Sequence, residues 1–246
     1  MNAIKDIPAV GSIMNHGAIP TLFEDDHMKI TYLDGEGDFC MVTFVGVGLG
    51  QGGVDIQNEE FKKLDPNLGP QIFVFDKNRS WGNAIDFEKM ASVITPISEN
   101  RRVITMGLSM GGFLAVVASK YLSPEACIAF VPQYSMHPQI MPGERRWAAY
   151  ARNITKWSIP SLEGYFGQET QFYVFFTADP MERQHLVKFP DQDNIQTYMV
   201  RTNGHNVGQA MKDAGILYPT IEACMKLAQP GEMPFSFEKS GHIHVI

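Results

Sequence analysis

The fold is decided by a stretch in the middle of the chain, Met106-Gly107-Leu108-Ser109-Met110-Gly111-Gly112. It has the pattern Gly-x-Ser-x-Gly, with an apolar β-type run before it and a helical pattern rich in Ala, Val and Leu after it. A serine hydroxyl is a poor nucleophile unless the fold presents it beside a base, and a sharp strand–turn–helix connection does so. The crowded backbone of such a turn favours glycine at the flanking positions. The stretch therefore predicts a strand, a tight turn that presents Ser109, and a helix.

Strand-like and helix-like segments alternate on both sides of this turn. Continuous apolar strands alternating with helices indicate a mostly parallel sheet that is covered on both faces, and two antiparallel strands at the start fit one edge of it. The predicted strands are Ile19–Phe23, Met28–Leu33, Phe39–Val45, Gln71–Asp76, Arg102–Met106, Ala126–Val131, Phe172–Thr177 and Gln196–Arg201. The predicted helices are Ala84–Ile94 with Asn83 as its N-cap, Met110–Leu122, and one within Val207–Ala228.

Two segments depart from this alternation. The first, Gly46 to Gly53, has five glycines in eight residues and is predicted as a loop. The second, Pro132 to Gln171, is longer than an ordinary connection and is predicted as a cap inserted over the carboxyl edge of the sheet. The length of 246 residues suits one domain, residues 1–246, that carries this cap at about 132–171.

Composition narrows the function classes. A net charge of −7, without a basic stripe, argues against nucleic acid as a partner. No apolar run has the length of a membrane span, and the first ten residues lack the apolar core of a secretory signal. The three cysteines make an odd count in apolar surroundings, which favours free buried thiols and a cytoplasmic location. A homo-oligomer is compatible with the sequence.

An acid and a histidine follow the serine at the ends of later strands. Asp179 ends the strand FYVFFTAD, and His205 lies just after the last strand. Parallel strands bring such ends to one edge, where His205 would be the general base for Ser109 and Asp179 would orient the imidazole. Asp179 precedes a proline and could instead cap the next helix. Three other carboxylates compete for the role of the acid: Asp76, Asp191 and Asp193.

The serine turn, the strand order and the positions of Asp179 and His205 resemble the α/β-hydrolase superfamily over roughly residues 39 to 228. The resemblance implies an α/β-hydrolase fold with Ser109 as the nucleophile, Asp179 as the acid and His205 as the base. It also implies that the backbone N–H of Met110 is one donor of an oxyanion hole.

The second oxyanion donor is expected from the glycine-rich loop after the FCMVTFV strand, with Val47 or Gly48 as the candidates. Many members of the superfamily carry His-Gly at this loop, whereas this chain has Gly46-Val47-Gly48. A backbone donor does not need the histidine, but the departure leaves the position of the donor open.

The remaining motifs are weaker. Trp81 could line a substrate pocket or pack beneath it, and the group Arg145-Arg146-Trp147 could bind an anionic substrate or be a solvated helix face with the tryptophan turned inward. The glycine-rich loop lacks the phosphate-binding patterns of nucleotide sites. The pair His242-x-His244 has too few ligands nearby for a metal site, so neither a metal nor a cofactor is implied.

These features together predict a serine hydrolase that cleaves a small-molecule ester or thioester through an acyl-enzyme. One alternative is an O-acyltransferase that uses the same three residues and passes the acyl group to an alcohol or sugar. A second alternative is a hydrolase-like protein used only for binding. Intact Ser109, Asp179 and His205 weigh against the second alternative.

Overall fold

The computed structural model describes residues 19–51, 54–202, 204–240 and 243–245. The strands are β1 (Thr21–Glu24), β2 (Met28–Leu33), β3 (Phe39–Phe44), β4 (Leu49–Gln51), β5 (Val54–Ile56), β6 (Gln71–Asp76), β7 (Arg102–Leu108), β8 (Ala126–Phe130), β9 (Gln171–Thr177), β10 (Ile195–Val200), β11 (Glu238–Ser240) and β12 (Ile243–Val245). The α-helices are α1 (Phe87–Ser98), α2 (Met110–Leu122), α3 (Ala148–Ala151), α4 (Pro180–Leu186), α5 (Val207–Asp213) and α6 (Leu217–Met225).

Within these described residues, ten strands form one sheet in the order β1-β2-β6-β3-β7-β8-β9-β10-β12-β11. The pairs from β6 through β3, β7, β8, β9 and β10 to β12 are all parallel. Only the outer pairs β1·β2, β2·β6 and β11·β12 of this sheet are antiparallel. The predicted mostly parallel sheet with antiparallel strands at its start is confirmed.

The central strands are buried on both faces, which explains their continuous apolar sequences. In β8, for example, Cys127 and Ala129 belong to the core beneath α1 and α2, whereas Ile128 and Phe130 belong to the core beneath α5 and α6. Successive side chains of a strand point to opposite faces, so every position must be apolar when helices cover both sides. The helices on the two faces therefore follow from the strand composition.

Several predicted boundaries change in the structure. The first helix begins after Asp86, whose carboxylate accepts a hydrogen bond from the N–H of Lys89, and the proposed cap Asn83 lies in the preceding loop. Two helices, α5 and α6, stand where one was predicted, because the chain turns at Gly215 with a φ of 73°. The segment predicted as a glycine-rich loop contains β4, which pairs with β5 in a separate hairpin, although Gly52 and Gly53 lie outside the described residues.

The topology brings one set of loops together. The segments after β3, β6, β7, β8, β9 and β10 all leave the sheet at the carboxyl ends of neighbouring parallel strands. Residues 131–170, between β8 and β9, contain α3 and include nearly all of the segment, Pro132 to Gln171, that the sequence predicts as a cap. We refer to residues 131–170 as the cap segment. Within the described residues, none of the helices combines the length and the apolar character that crossing a bilayer requires.

Candidate active site

Ser109 lies in the turn between β7 and α2 and has a strained backbone conformation, with φ 60° and ψ −121°. A β-carbon on Gly107 would lie 2.3 Å from the carbonyl carbon of Gly111, and one on Gly111 would lie 2.0 Å from the carbonyl oxygen of Phe44. Only glycine fits such contacts, so the two flanking glycines allow the turn to be this tight. The predicted strand–turn–helix connection is confirmed, and the Ser109 side chain is almost fully buried.

The hydroxyl oxygen of Ser109 accepts a hydrogen bond from the side-chain amide of Gln133, with 3.0 Å between Nε2 and Oγ. The amide oxygen of Gln133 accepts in turn from the indole N–H of Trp81, at 2.9 Å. Both side chains are fully buried. Trp81 is therefore a buried and hydrogen-bonded residue. Gln133 is missing from the sequence prediction, because a single glutamine after a strand belongs to no motif.

His205 lies in the loop after β10, and the hydroxyl of Thr177 in β9 holds this loop by donating to the carbonyl of Gly204 at 2.8 Å. The ring nitrogen Nδ1 of His205 is 2.7 Å from Oε1 of Glu182. An ionised carboxylate only accepts hydrogen bonds, so we assign the proton of the ring to Nδ1. The other nitrogen, Nε2, is buried without a hydrogen-bond partner among the described residues and keeps a free lone pair.

The carboxylate beside His205 is Glu182, a residue that the sequence analysis does not single out. The carboxylate of Asp179 caps α4 by accepting from the N–H of Met181 at 2.8 Å, which is the alternative role considered for it. Glu182 lies one turn further along α4, fully buried, and is the carboxylate that bonds His205. The carboxylate that bonds His205 in the structure is thus that of Glu182 and not that of Asp179.

The other carboxylates considered as the acid occupy different places. Asp76 is fully buried and accepts four hydrogen bonds from the loop that follows it: the backbone N–H groups of Asn78, Ser80 and Gly82 and the hydroxyl of Ser80. Burial raises the pKa of Asp76, and these hydrogen bonds offset part of that increase. Asp191 and Asp193 precede β10 and so lie at the amino end of the strand whose carboxyl end leads to His205.

A buried ionic network surrounds the carboxylate of Glu182. The guanidinium of Arg146 forms ion pairs with both Glu182 and Glu144. Burial alone would raise the pKa of each glutamate, but the hydrogen bonds and charges around them outweigh it. The pKa of Glu182 is lowered by His205 and Arg146, and the pKa of Glu144 is lowered to about 2 by His185 and Arg146. Glu182 is therefore ionised at neutral pH despite its burial.

His185 contributes to the same network in its neutral form. Its Nδ1 accepts a hydrogen bond from the backbone N–H of Tyr134 at 3.1 Å, so this nitrogen carries no proton. Its Nε2 lies 3.0 Å from Glu144 and is the donor of that bond. The network thus connects the residues 131–170 to α4 through hydrogen bonds at fully buried groups.

The group Arg145-Arg146-Trp147 lies in the cap segment near His205. The guanidinium of Arg146 forms ion pairs with two carboxylates, those of Glu144 and Glu182. Arg145 is exposed. The ring of Trp147 packs on the ring of His205, with 4.9 Å between the centroids. Arg146 and Trp147 thus have pairing and packing contacts within the protein, and anion binding by this group stays a prediction.

The peptide groups after β3 are oriented by two side chains. Gln57 donates to the carbonyl of Gly46 at 2.8 Å, and Arg79 donates through Nε to the carbonyl of Val47 at 3.2 Å. In a trans peptide the C=O and N–H point in opposite directions, so the N–H groups of Val47 and Gly48 face away from these side chains. Both remain candidate oxyanion donors, together with the N–H of Met110 in the first turn of α2, where no intrahelical acceptor exists.

Further contacts attach the cap segment to β5 and to the loop after β6. The hydroxyl of Tyr150 in α3 bonds Asp55 in β5 at 2.5 Å, and the guanidinium of Arg79 lies over the Tyr150 ring. On the β6 side, the amide oxygen of Asn83 accepts from the N–H of Ile159 at 2.8 Å. No group of three or more His, Cys, Asp or Glu within the described ranges is arranged to hold a metal ion.

The three-dimensional structure has known counterparts, although neither a protein-family model nor a curated protein sequence matches the chain. It is similar to the capsule O-acetyltransferase of Neisseria meningitidis serogroup A, with a TM-score of 0.58 and 15% identity over 89% of this chain and 97% of that one. It is also similar to a chain of the glycosylation-associated Gap123 complex of Streptococcus agalactiae, with a TM-score of 0.55 and 17% identity over 80% of this chain and 44% of that one.

A third counterpart is acetyl xylan esterase 1 of Thermoanaerobacterium, with a TM-score of 0.50 and 12% identity over 82% of this chain and 80% of that one. Identities this low carry information about the fold alone. Together with the strand order and the serine turn, they show that the chain has the α/β-hydrolase fold.

Proposed function

We propose that this protein is a serine hydrolase that cleaves a small ester or thioester through an acyl-enzyme intermediate. Ser109 is the nucleophile, His205 the general base and Glu182 the acid that orients it. The observation that carries the proposal is the bond between Nδ1 of His205 and buried Glu182, which leaves the unpaired Nε2 as a base at the edge that presents Ser109. A serine, a histidine with a free nitrogen and a buried carboxylate are the parts that nucleophilic catalysis at a carbonyl needs.

The reaction has two halves. Ser109 Oγ attacks the carbonyl carbon while Nε2 of His205 takes its proton, and His205 then gives that proton to the leaving group. In the second half, His205 takes a proton from water, which attacks the acyl carbon. The bond between that carbon and Oγ then breaks, His205 returns the proton to Oγ, and the acid is released. The N–H of Met110 and one N–H from Val47 or Gly48 would stabilise the oxyanion in both halves. Ionised Glu182 stabilises the imidazolium that forms twice in the cycle.

The test uses a fluorophosphonate probe, which forms a stable adduct with activated serines. We expect a mass adduct on Ser109 in the unmodified protein and none in Ser109→Ala, which removes only the hydroxyl. Hydrolysis of a panel of p-nitrophenyl esters should be lost in the same variant. Absence of labelling, with equal ester turnover in both proteins, would contradict the enzyme proposal and favour a hydrolase-like binding protein.

A second candidate is an O-acyltransferase, which is favoured by the burial of Nε2 in His205, the proposed general base. Nε2 of His205 is buried, and Trp147 of the cap segment packs on the imidazole ring. Exclusion of water from an acyl-enzyme allows a hydroxyl acceptor to compete for the acyl group. The likeness over nearly the whole length to a capsule O-acetyltransferase agrees with this candidate. Product analysis with p-nitrophenyl acetate, with and without a sugar acceptor, separates the two: an acetylated sugar indicates transfer, and acetate alone indicates hydrolysis.

The cytoplasmic location predicted from the sequence stays part of the proposal. All three cysteines, Cys40, Cys127 and Cys224, are buried and free, as a reducing compartment would allow.

A further inference from the structure

The side chain of Gln133 is the group that touches the Ser109 hydroxyl, and a strained backbone places it there. Val131, two residues earlier, has a φ of 41°, and its N–H donates to the carbonyl of Phe175 at 2.6 Å. A β-branched residue in the left-handed region is a genuine outlier. Such strain persists only where surrounding structure imposes it, and it is common at functional sites. The end of β8 is thus bent, and the fully buried Gln133 reaches Ser109.

The orientation of the Gln133 amide follows from its other partner. The indole N–H of Trp81 can only donate, so the atom that faces it must be the amide oxygen. The atom that faces Ser109 Oγ is therefore the NH₂ group, a hydrogen-bond donor. Trp81 is itself held in a loop whose backbone bonds the buried carboxylate of Asp76. The amide cannot rotate without breaking a buried hydrogen bond.

This arrangement decides what Ser109 can do with its proton. Because Oγ accepts from Gln133, the hydroxyl proton is free to be donated to another group, and the unpaired Nε2 of His205 is the base in the proposed reaction. Gln133 remains next to Oγ while that atom changes from hydroxyl to ester and back. Its contribution depends on how strongly Oγ accepts a hydrogen bond at each stage.

We propose that Gln133 is a catalytic residue whose amide stabilises negative charge on Ser109 Oγ, and that it accelerates the release of the acyl group more than its uptake. This inference rests on the proposed function of Ser109. It adds to the three residues and the oxyanion donors a further group that acts on the serine oxygen itself.

The asymmetry follows from the two half-reactions. In acylation, the Oγ–H bond breaks, the Oγ–C bond forms and the proton moves to His205. His205 then gives this proton to the leaving group as the bond between that group and the acyl carbon breaks. Oγ starts this step as a hydroxyl oxygen, which is already a good acceptor. In deacylation, water or an acceptor hydroxyl gives its proton to His205 and bonds the acyl carbon. The C–Oγ bond then breaks, and Oγ takes the proton back. An ester oxygen is a poor acceptor and a departing alkoxide a strong one, so the hydrogen bond strengthens most in deacylation, and only such strengthening accelerates a step.

The experiment compares Gln133→Met with Gln71→Met. Gln71 is a buried glutamine at the amino end of β6, away from the serine edge, and its amide donates to the carbonyl of Leu64. Pre-steady-state turnover of p-nitrophenyl acetate gives the acylation and deacylation rates separately, and intact mass spectrometry follows the acetyl-enzyme. In Gln133→Met we expect deacylation to slow by about 10- to 100-fold, below the loss seen on removing a full oxyanion donor. Acylation should slow less, so the acetyl-enzyme accumulates.

Gln71→Met should leave the ratio of the two rates unchanged. A second variant, Gln133→Glu, keeps the shape of the side chain and the acceptor for Trp81, but it has an oxygen in place of the NH₂ group that donates to Ser109. The acetyl-enzyme should accumulate in this variant too. This inference is overturned if the Gln133 variants slow acylation and deacylation equally or leave the ratio of the two rates unchanged. In that case, labelling of Ser109 in the unmodified protein still supports the proposed function. If the unmodified protein forms no Ser109 adduct, the proposed function itself fails.

Discussion

Replacing Glu182 by glutamine is the most direct test of the acid in the candidate site. The change removes a negative charge 2.7 Å from Nδ1 of His205 and presents an amide whose NH₂ group can force the proton onto Nε2. The guanidinium of Arg146, which pairs with Glu182, stays nearby and opposes an imidazolium. The side chain at 182 is fully buried, so water cannot substitute for the lost charge.

The expected magnitude comes from the equivalent change in serine proteases. There the Asp→Asn substitution lowers kcat by about four orders of magnitude, close to 5 kcal/mol of transition-state stabilisation. We expect Glu182→Gln to lower kcat for p-nitrophenyl acetate by about three to four orders of magnitude and to slow labelling of Ser109 by fluorophosphonate in parallel.

Asp179→Asn is the matched control, because it makes the same chemical change three residues earlier. Asparagine caps helices about as well as aspartate, so the capping bond to Met181 survives and both stability and turnover should stay near those of the unmodified protein. A loss of several orders of magnitude in Asp179→Asn, with less than about a tenfold loss in Glu182→Gln, would refute the assignment and return the acid role to Asp179.

Three further outcomes are expected. Burial raises the pKa of Glu60 to about 8 from 4.5, so the folded protein retains a proton that the unfolded chain releases, and stability falls as pH rises through this window. In urea unfolding, the stability of Glu60→Gln relative to the unmodified protein should therefore rise by up to about 1.4 kcal/mol for each pH unit between these two values. An equal difference in unfolding free energy at pH 5 and pH 8 would contradict this expectation. Arg79→Met frees the carbonyl of Val47 and should lower kcat about tenfold or more with little change in KM, while a rise in KM alone would argue against an oxyanion role. Gly111→Ala places a β-carbon 2.0 Å from the carbonyl oxygen of Phe44 and should cost more than about 4 kcal/mol of unfolding free energy, so near-native stability would show that the turn can relax.

Most of the central sheet could be predicted from local patterns. The bounds of β2, β6 and α2 agree with the sequence prediction to the residue, because each has a continuous apolar run or helical composition with clear turn residues at its ends. The elements that the sequence analysis misses lack such signals. The strands β11 and β12 were not predicted, since they are three residues each and become strands by pairing with each other and, for β12, with β10.

The helix after β6 shows how close local alternatives can be. Asn83 and Asp86 are both good capping residues, and propensity alone does not choose between them. In the structure, the side chain of Asn83 instead bonds the cap segment at Ile159, some 76 residues away in the chain. Asp86 is the residue that caps α1, and no sequence window contains the long-range contact of Asn83.

The same distinction applies to the candidate site. The glycine pattern around Ser109 predicts its tight turn, and the strand order predicts that the loop of His205 lies at the same edge; both depend on local sequence and on a parallel sheet. Choosing Glu182 over Asp179, and finding Gln133, required tertiary structure. Asp179 and Glu182 are three residues apart at the start of one helix, and only the position of that helix against the loop after β10 determines which carboxylate meets the imidazole. Gln133 reaches Ser109 through the bend at Val131, whose N–H bonds the carbonyl of Phe175 in β9, and no residue pattern encodes this bend.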